Sequence, residues 1–121
     1  MANELTLGDS LAFSKDGKQV NAGKQGVKVT VTGGDFISAT QTVGITEEAL
    51  NIGDITTLGH AFFQNLDDTN FVEIRPATGA ADLITLKPGE TCRFRFSATV
   101  TAPFVIADTA PVEIAYTIIE D

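Results

Sequence analysis

The chain has 121 residues, 43% hydrophobic and 20% charged, with a formal net charge of −8. That composition suits one globular domain with a real core and excludes wholesale disorder. The charge is uneven: residues 1–34 carry Lys15, Lys18, Lys24 and Lys28 against Glu4, Asp9 and Asp16, a balance of +1, and residues 35–121 carry four basic and thirteen acidic side chains, a balance of −9.

Leu5, Leu7, Leu11 and Phe13 form an extended opening, with a bulge or bend expected at Gly8-Asp9. Lys15-Asp16-Gly17-Lys18 reads as a turn, and Asn21 to Gly26 as a polar loop. Residues 27–32 alternate cleanly, with Val27, Val29 and Val31 expected inward. After Gly33-Gly34-Asp35 the chain runs extended again, with Ile37, Ala39 and Val43 on one face. Thr46–Leu50 is the one helix-like fragment, too short for a stable helix, and a short strand from Ala49 to Ile52 fits equally well.

Ala61–Leu66 and Phe71–Arg75 flank Asp67-Asp68-Thr69-Asn70 and read as a central hairpin. Phe62, Leu66, Val72 and Ile74 are its expected core, which turns Phe63 and Phe71 to the other side. Two further strands meet at Lys87-Pro88-Gly89-Glu90, the second with Cys92, Phe94 and Phe96 inward. Phe104–Ala107 and Val112–Ile119 follow, the last with Val112, Ile114, Tyr116 and Ile118 on one face. About eight strands with turn signals every ~8–12 residues indicate an all-β, antiparallel β-sandwich, jelly-roll-like or Ig-like. Residues 1–121 read as one sandwich domain, with residues 1–26 as an extended arm and loop available to a partner.

The chemistry-bearing residues are few. His60 is the lone histidine and no Gly-x-Ser-x-Gly elbow accompanies it, so no catalytic triad is expected. Cys92, the lone cysteine, excludes an internal disulfide and alternates with apolar neighbours like a core residue. It leans the reading toward a reducing compartment. One His and one Cys do not make a structural zinc site. The Asp67–Asn70 oxygens have a simpler use in the turn than calcium. Glu47-Glu48 and Asp67-Asp68 are neighbours in extended chain, so each pair points apart rather than forming a catalytic dyad. The reading is a non-enzyme with no catalytic residue, cofactor or metal. An acidic body lacks the clustered Lys/Arg that nucleic acid requires. The first residues show no secretion signal, and no apolar run approaches the roughly 20 residues of a membrane helix. The segments that could contact a partner are Leu5, Leu7, Leu11 and Phe13, the lysines Lys15, Lys18, Lys24 and Lys28, and the aromatic pair Phe63 and Phe71.

Three blocks, taken in order, resemble a known class. They are Ile45–Asp54 (ITEEALNIGD), Gly59–Ile74 (GHAFFQNLDDTNFVEI), and Leu86–Glu90 (LKPGE) with the closing Val112–Glu120. Together they resemble small β-rich virion structural proteins of tailed bacteriophages. The likeness covers roughly residues 45–120 and consists of turns and strands, not chemical motifs. It implies a capsid decoration (cement) protein on the surface of the virion, made in the host cytoplasm. The implied partners are the major capsid protein or other virion proteins, and the implied assembly is a homo-oligomer, with a trimer expected. A phage tail or neck component and a glycan- or cell-surface-binding sandwich module are the alternative readings.

Overall fold

The computed structural model describes residues 2–121, which divide into two compact units, residues 2–32 and Gly33–Asp121. The first unit is a two-stranded antiparallel hairpin of β1 (Leu5–Lys15) and β2 (Lys18–Val29). Its turn sits where the sequence places it. Asp16 and Gly17 both take positive φ, 51° and 76°, as a two-residue hairpin turn with matching twist demands. The register breaks between Leu7 and Asp9, where β2 carries one residue more than β1 and Gly26 adopts φ 73°. That is a bulge with glycine in the left-handed conformation. The expected polar loop at residues 21–26 is instead strand, inside β2. Its Asn, Gly and Gln composition marks an exposed strand as readily as a loop, because nothing there has to be buried.

The second unit is a sandwich of two four-stranded antiparallel sheets. One has the order β3 (Phe36–Val43), β10 (Val112–Glu120), β5 (Leu58–Asn65), β8 (Thr91–Arg95). The other has the order β4 (Glu48–Ala49), β9 (Phe104–Ala107), β6 (Val72–Arg75), β7 (Ile84–Leu86). The antiparallel pairs nest, β3 with β10, β4 with β9, β5 with β8 and β6 with β7. A long hairpin rolled up in this way is a jelly roll. Of the two sandwich connectivities the sequence left open, the structure has this one. The sandwich holds eight strands and the hairpin two, against about eight expected for the whole chain.

The expected central hairpin does not form. β5 and β6 lie in different sheets, and so do β7 and β8. Each turn is an arch carrying the chain across the sandwich. Turn residues specify a change of direction, not whether the flanking strands pair, so the two cases share one signature. Asn65 clasps both arches. Its buried Nδ2 donates to the carbonyls of Asn70 and Leu86 at 3.0 Å each, and its Oδ1 accepts from Asp67 N at 2.8 Å.

The core lies between the sheets. Phe63 is fully buried and stacks on Phe94 at 5.7 Å and on Tyr116 at 5.6 Å between ring centroids. Val112, Ile114, Tyr116 and Ile118 all point inward from β10, as their spacing indicates. β5 has the opposite phase from the expected one. Ala61, Phe63 and Asn65 face in, and Phe62 and Leu66 are each 44% exposed. The alternative frame buries His60 and Gln64 as well, two polar side chains instead of one satisfied Asn, which is costly. Replacing Phe63 by Ala is expected to lower the unfolding free energy by about 3–5 kcal/mol. Phe62→Ala is expected to change it by about 1 kcal/mol or less. Urea denaturation followed by circular dichroism measures both.

Candidate functional site

The hairpin presents the most distinctive surface. Strand alternation places Leu5, Leu7, Asp9, Leu11, Phe13 and Lys15 on one side of β1. Directly opposite, on the same side, stand Val29, Val27, Lys24, Ala22, Val20 and Lys18. The result is an apolar stripe with basic residues along it and at its tip. Leu7 is buried and Leu5 half-buried, but Leu11 is 64% exposed, Val20 51% and Phe13 48%. Lys15, Lys18, Lys24 and Lys28 are all exposed. Lys28 sits apart from the other three, on the opposite face, where its Nζ donates to Thr6 Oγ1 at 2.8 Å. The structure therefore gathers seven of the ten expected contact residues into one face: Leu5, Leu7, Leu11, Phe13, Lys15, Lys18 and Lys24.

The remaining two, Phe63 and Phe71, do not form an exposed aromatic patch. Phe63 is inside the sandwich and Phe71 is half-buried, its carbonyl accepting from Asp108 N at 3.0 Å. Besides Phe13 on the hairpin, the exposed aromatics are Phe62 and Phe36, the latter 67% exposed. Phe62 borders a shallow hollow of about 330 Å³ lined by the small side chains Ser38, Thr40, Ala115 and Thr117.

The candidate chemical groups have structural work. His60 lies between two guanidinium groups, with Arg93 Nη1 3.0 Å from Nδ1 and Arg95 Nη1 3.2 Å from Nε2. Arg95 also bonds Asp121 at 2.7 Å. Burial pushes the Cys92 thiol up to about 11, so at neutral pH it is protonated and a poor nucleophile. Asp67 Oδ2 accepts from the backbone of Thr69 and Asn70, which is turn chemistry. Among the described residues no three His, Cys, Asp or Glu side chains gather as metal ligands would.

Glu47 and Glu48 serve separate bonds. Glu48 accepts from Gly44 N at 2.6 Å. Glu47 accepts from Thr78 Oγ1 at 2.6 Å, Arg75 Nη1 at 2.7 Å and Gly79 N, and these donors hold its carboxyl below the usual carboxylate range. Arg75 completes the cluster through Asp82 at 2.6 Å.

Glu120, at the end of β10, is bonded among the described residues by neutral backbone and hydroxyl donors. Oε2 accepts from the Thr56 backbone and hydroxyl at 3.0 Å each, and Oε1 accepts from Gly34 N and Asp35 N at 3.2 and 3.3 Å. The Thr56 donors, then those of Asp35 and Gly34, lower its proton affinity. A Cβ on Gly33 would lie 2.5 Å from Glu120 Cγ, so this turn needs glycine for space.

Comparisons with protein-family models, with curated proteins and with solved structures find no match for this chain.

Both carboxyls titrate lower in the folded chain than in the unfolded one. Their contribution to stability is therefore present above the ordinary carboxylate value of 4.5 and is lost as pH falls through the lower folded value. Glu120→Gln is expected to be less stable than the parent at pH 7, with the gap narrowing below about pH 4.5 as the parent carboxyl protonates. Urea midpoints measured from pH 7 to pH 3 read this directly, and a gap independent of pH would contradict the assignment.

Proposed function

We propose that this chain is a non-enzymatic virion structural protein, a decoration protein that stabilises a tailed-phage head by docking on the major capsid protein. The hairpin carries the reading. It offers Leu11, Phe13 and Val20 to solvent on the same face as Lys15, Lys18 and Lys24, in a protein whose remaining residues are strongly acidic. An isolated two-stranded hairpin is marginal in water, and strands with an apolar face gain stability when another layer covers it. Burying each of those three apolar side chains on a partner contributes roughly 1.5–3 kcal/mol before association costs. The lysines suit an acidic shell and favour one docking orientation. Repetition over a symmetric shell multiplies a modest contact. A jelly roll by itself does not select this role, since the same architecture hosts lectins and cupins. The glycan-binding alternative loses the surface on which it rested, because Phe63 is inside the core. A tail or neck position differs in copy number rather than in physics.

The test is co-sedimentation of purified protein with particles that lack it. Binding is expected for the parent chain and is expected to drop at least tenfold for Leu11→Ser/Phe13→Ser, two exposed positions whose change leaves the sandwich intact. Mass spectrometry of intact virions should find hundreds of copies. A dozen or fewer would favour tail or neck, and no particle association would remove the virion reading altogether.

A further inference from the structure

We propose that β3 is a self-association edge: a second copy adds its own β3 antiparallel to the first, about a two-fold axis perpendicular to the sheet, so that two four-stranded sheets become one of eight strands. This goes beyond the virion reading and does not depend on it.

The sandwich has four edge strands. β4 has two residues and β7 three, and β8 carries Arg93 and Arg95. Short length and charge are the usual protections of an edge. The hairpin strands β1 and β2 also carry charges and glycines along their length. β3 has none of these protections. It runs for eight residues, FISATQTV, without a charge, a proline or a glycine. Its backbone pairs with β10 from Phe36–Ile119 to Val43–Val112, and no other strand pairs with it. An eight-residue antiparallel partner would supply about eight more backbone hydrogen bonds.

Charge argues that the partner is another copy. A protein of net charge −8 repels itself wherever two acidic surfaces meet. Among the edge strands of the sandwich β3 is the longest, and the sequence around it from Phe36 to Thr46 holds no charged residue, so that repulsion is absent there. With Thr40 at the axis, the two Asp35 carboxylates fall at opposite ends of the pairing, roughly 30 Å apart, well beyond the ~8 Å screening length at physiological salt.

Symmetry then fixes the side-chain pairing. A two-fold perpendicular to the sheet keeps outward residues opposite outward residues, so with Thr40 on the axis Thr40 faces its own copy and Ser38 faces Thr42. All three are exposed in the single chain. Thr–Thr and Thr–Ser pairs across antiparallel strands are favourable.

Sedimentation equilibrium up to about millimolar protein tests the idea, with a dimer weaker than 1 mM being too weak to matter. The parent chain is expected to reach twice the monomer mass, and dimer is expected to increase with added salt, which screens the mutual repulsion of two acidic bodies. Thr40→Lys and Thr40→Glu should each shift the midpoint at least tenfold toward monomer, with unchanged circular dichroism. An equimolar mixture of the two variants should restore the dimer, since opposite charges then meet at the axis. A parent chain that stays monomeric, a trimer, a dimer that weakens with salt, or a mixture that fails to pair would each overturn the proposal.

Discussion

The pairing of β3 with β10 is the constraint on which the sandwich depends. Phe36 meets Ile119 and Val43 meets Val112, so the unit closes only when its first strand finds its last. Everything else is nested inside that pair. β10 then lies between β3 and β5, which is why its alternation is so regular: every inward position meets core, and every outward position meets neighbours on both sides. Glu120 fastens the same junction from the end of β10, bonding Gly34 and Asp35 before β3 and Thr56 before β5. Closing such long-range pairings costs loop entropy before it returns contacts, so folding is expected to be slow for a chain of this size.

How much of this was legible follows from what each residue does locally. The alternation of β10, the Asp16-Gly17 turn and the bulge at Gly8-Asp9 are local effects, and the sequence carries them openly. The phase of β5 is not local. Two adjacent phenylalanines offer a bulky group to either face, and the choice falls to Asn65, whose burial is tolerated only because Asn70, Leu86 and Asp67 satisfy it. A count of polar residues in each frame would have found it. The arches at Asp67–Asn70 and Lys87–Glu90 were unreadable for a different reason. Each contains good turn residues, and only the pairing of β5 with β8 and of β6 with β7 distinguishes an arch from a hairpin. The strand through residues 21–26 was hidden because a fully exposed strand has no hydrophobic period to show. The contact residues on β1 were legible for the same reason as β10, since apolar residues two apart share a side.

Sequence and structure agree least on aromatic residues and most on charge. Phe63 moved from the surface into a stack with Phe94 and Tyr116, and that removed an aromatic platform from consideration. Cys92 and Glu120 show how the remaining reactive groups are occupied. One is a half-buried thiol held protonated, and the other is a carboxylate bonded by four donors. A carboxylate so bonded has little left to offer a substrate. What remains unspent is surface: an apolar stripe on the hairpin and a bare edge on β3.

Those two surfaces call for different partners because they solve different electrostatic problems. The hairpin's positive balance gives it an attraction to acidic surfaces that the rest of the chain lacks. β3 offers no attraction through charge at all. Its merit is the absence of repulsion, which matters most between identical acidic chains. An acidic body makes most encounters between copies of the chain unfavourable, and the self-contact proposed at β3 falls on a strand where geometry, not charge, sets the register. On that view the −9 balance of residues 35–121 and the uncharged run from Phe36 to Thr46 are two parts of one arrangement: the first disfavours contact between acidic surfaces, and the second leaves one long edge strand free of that repulsion.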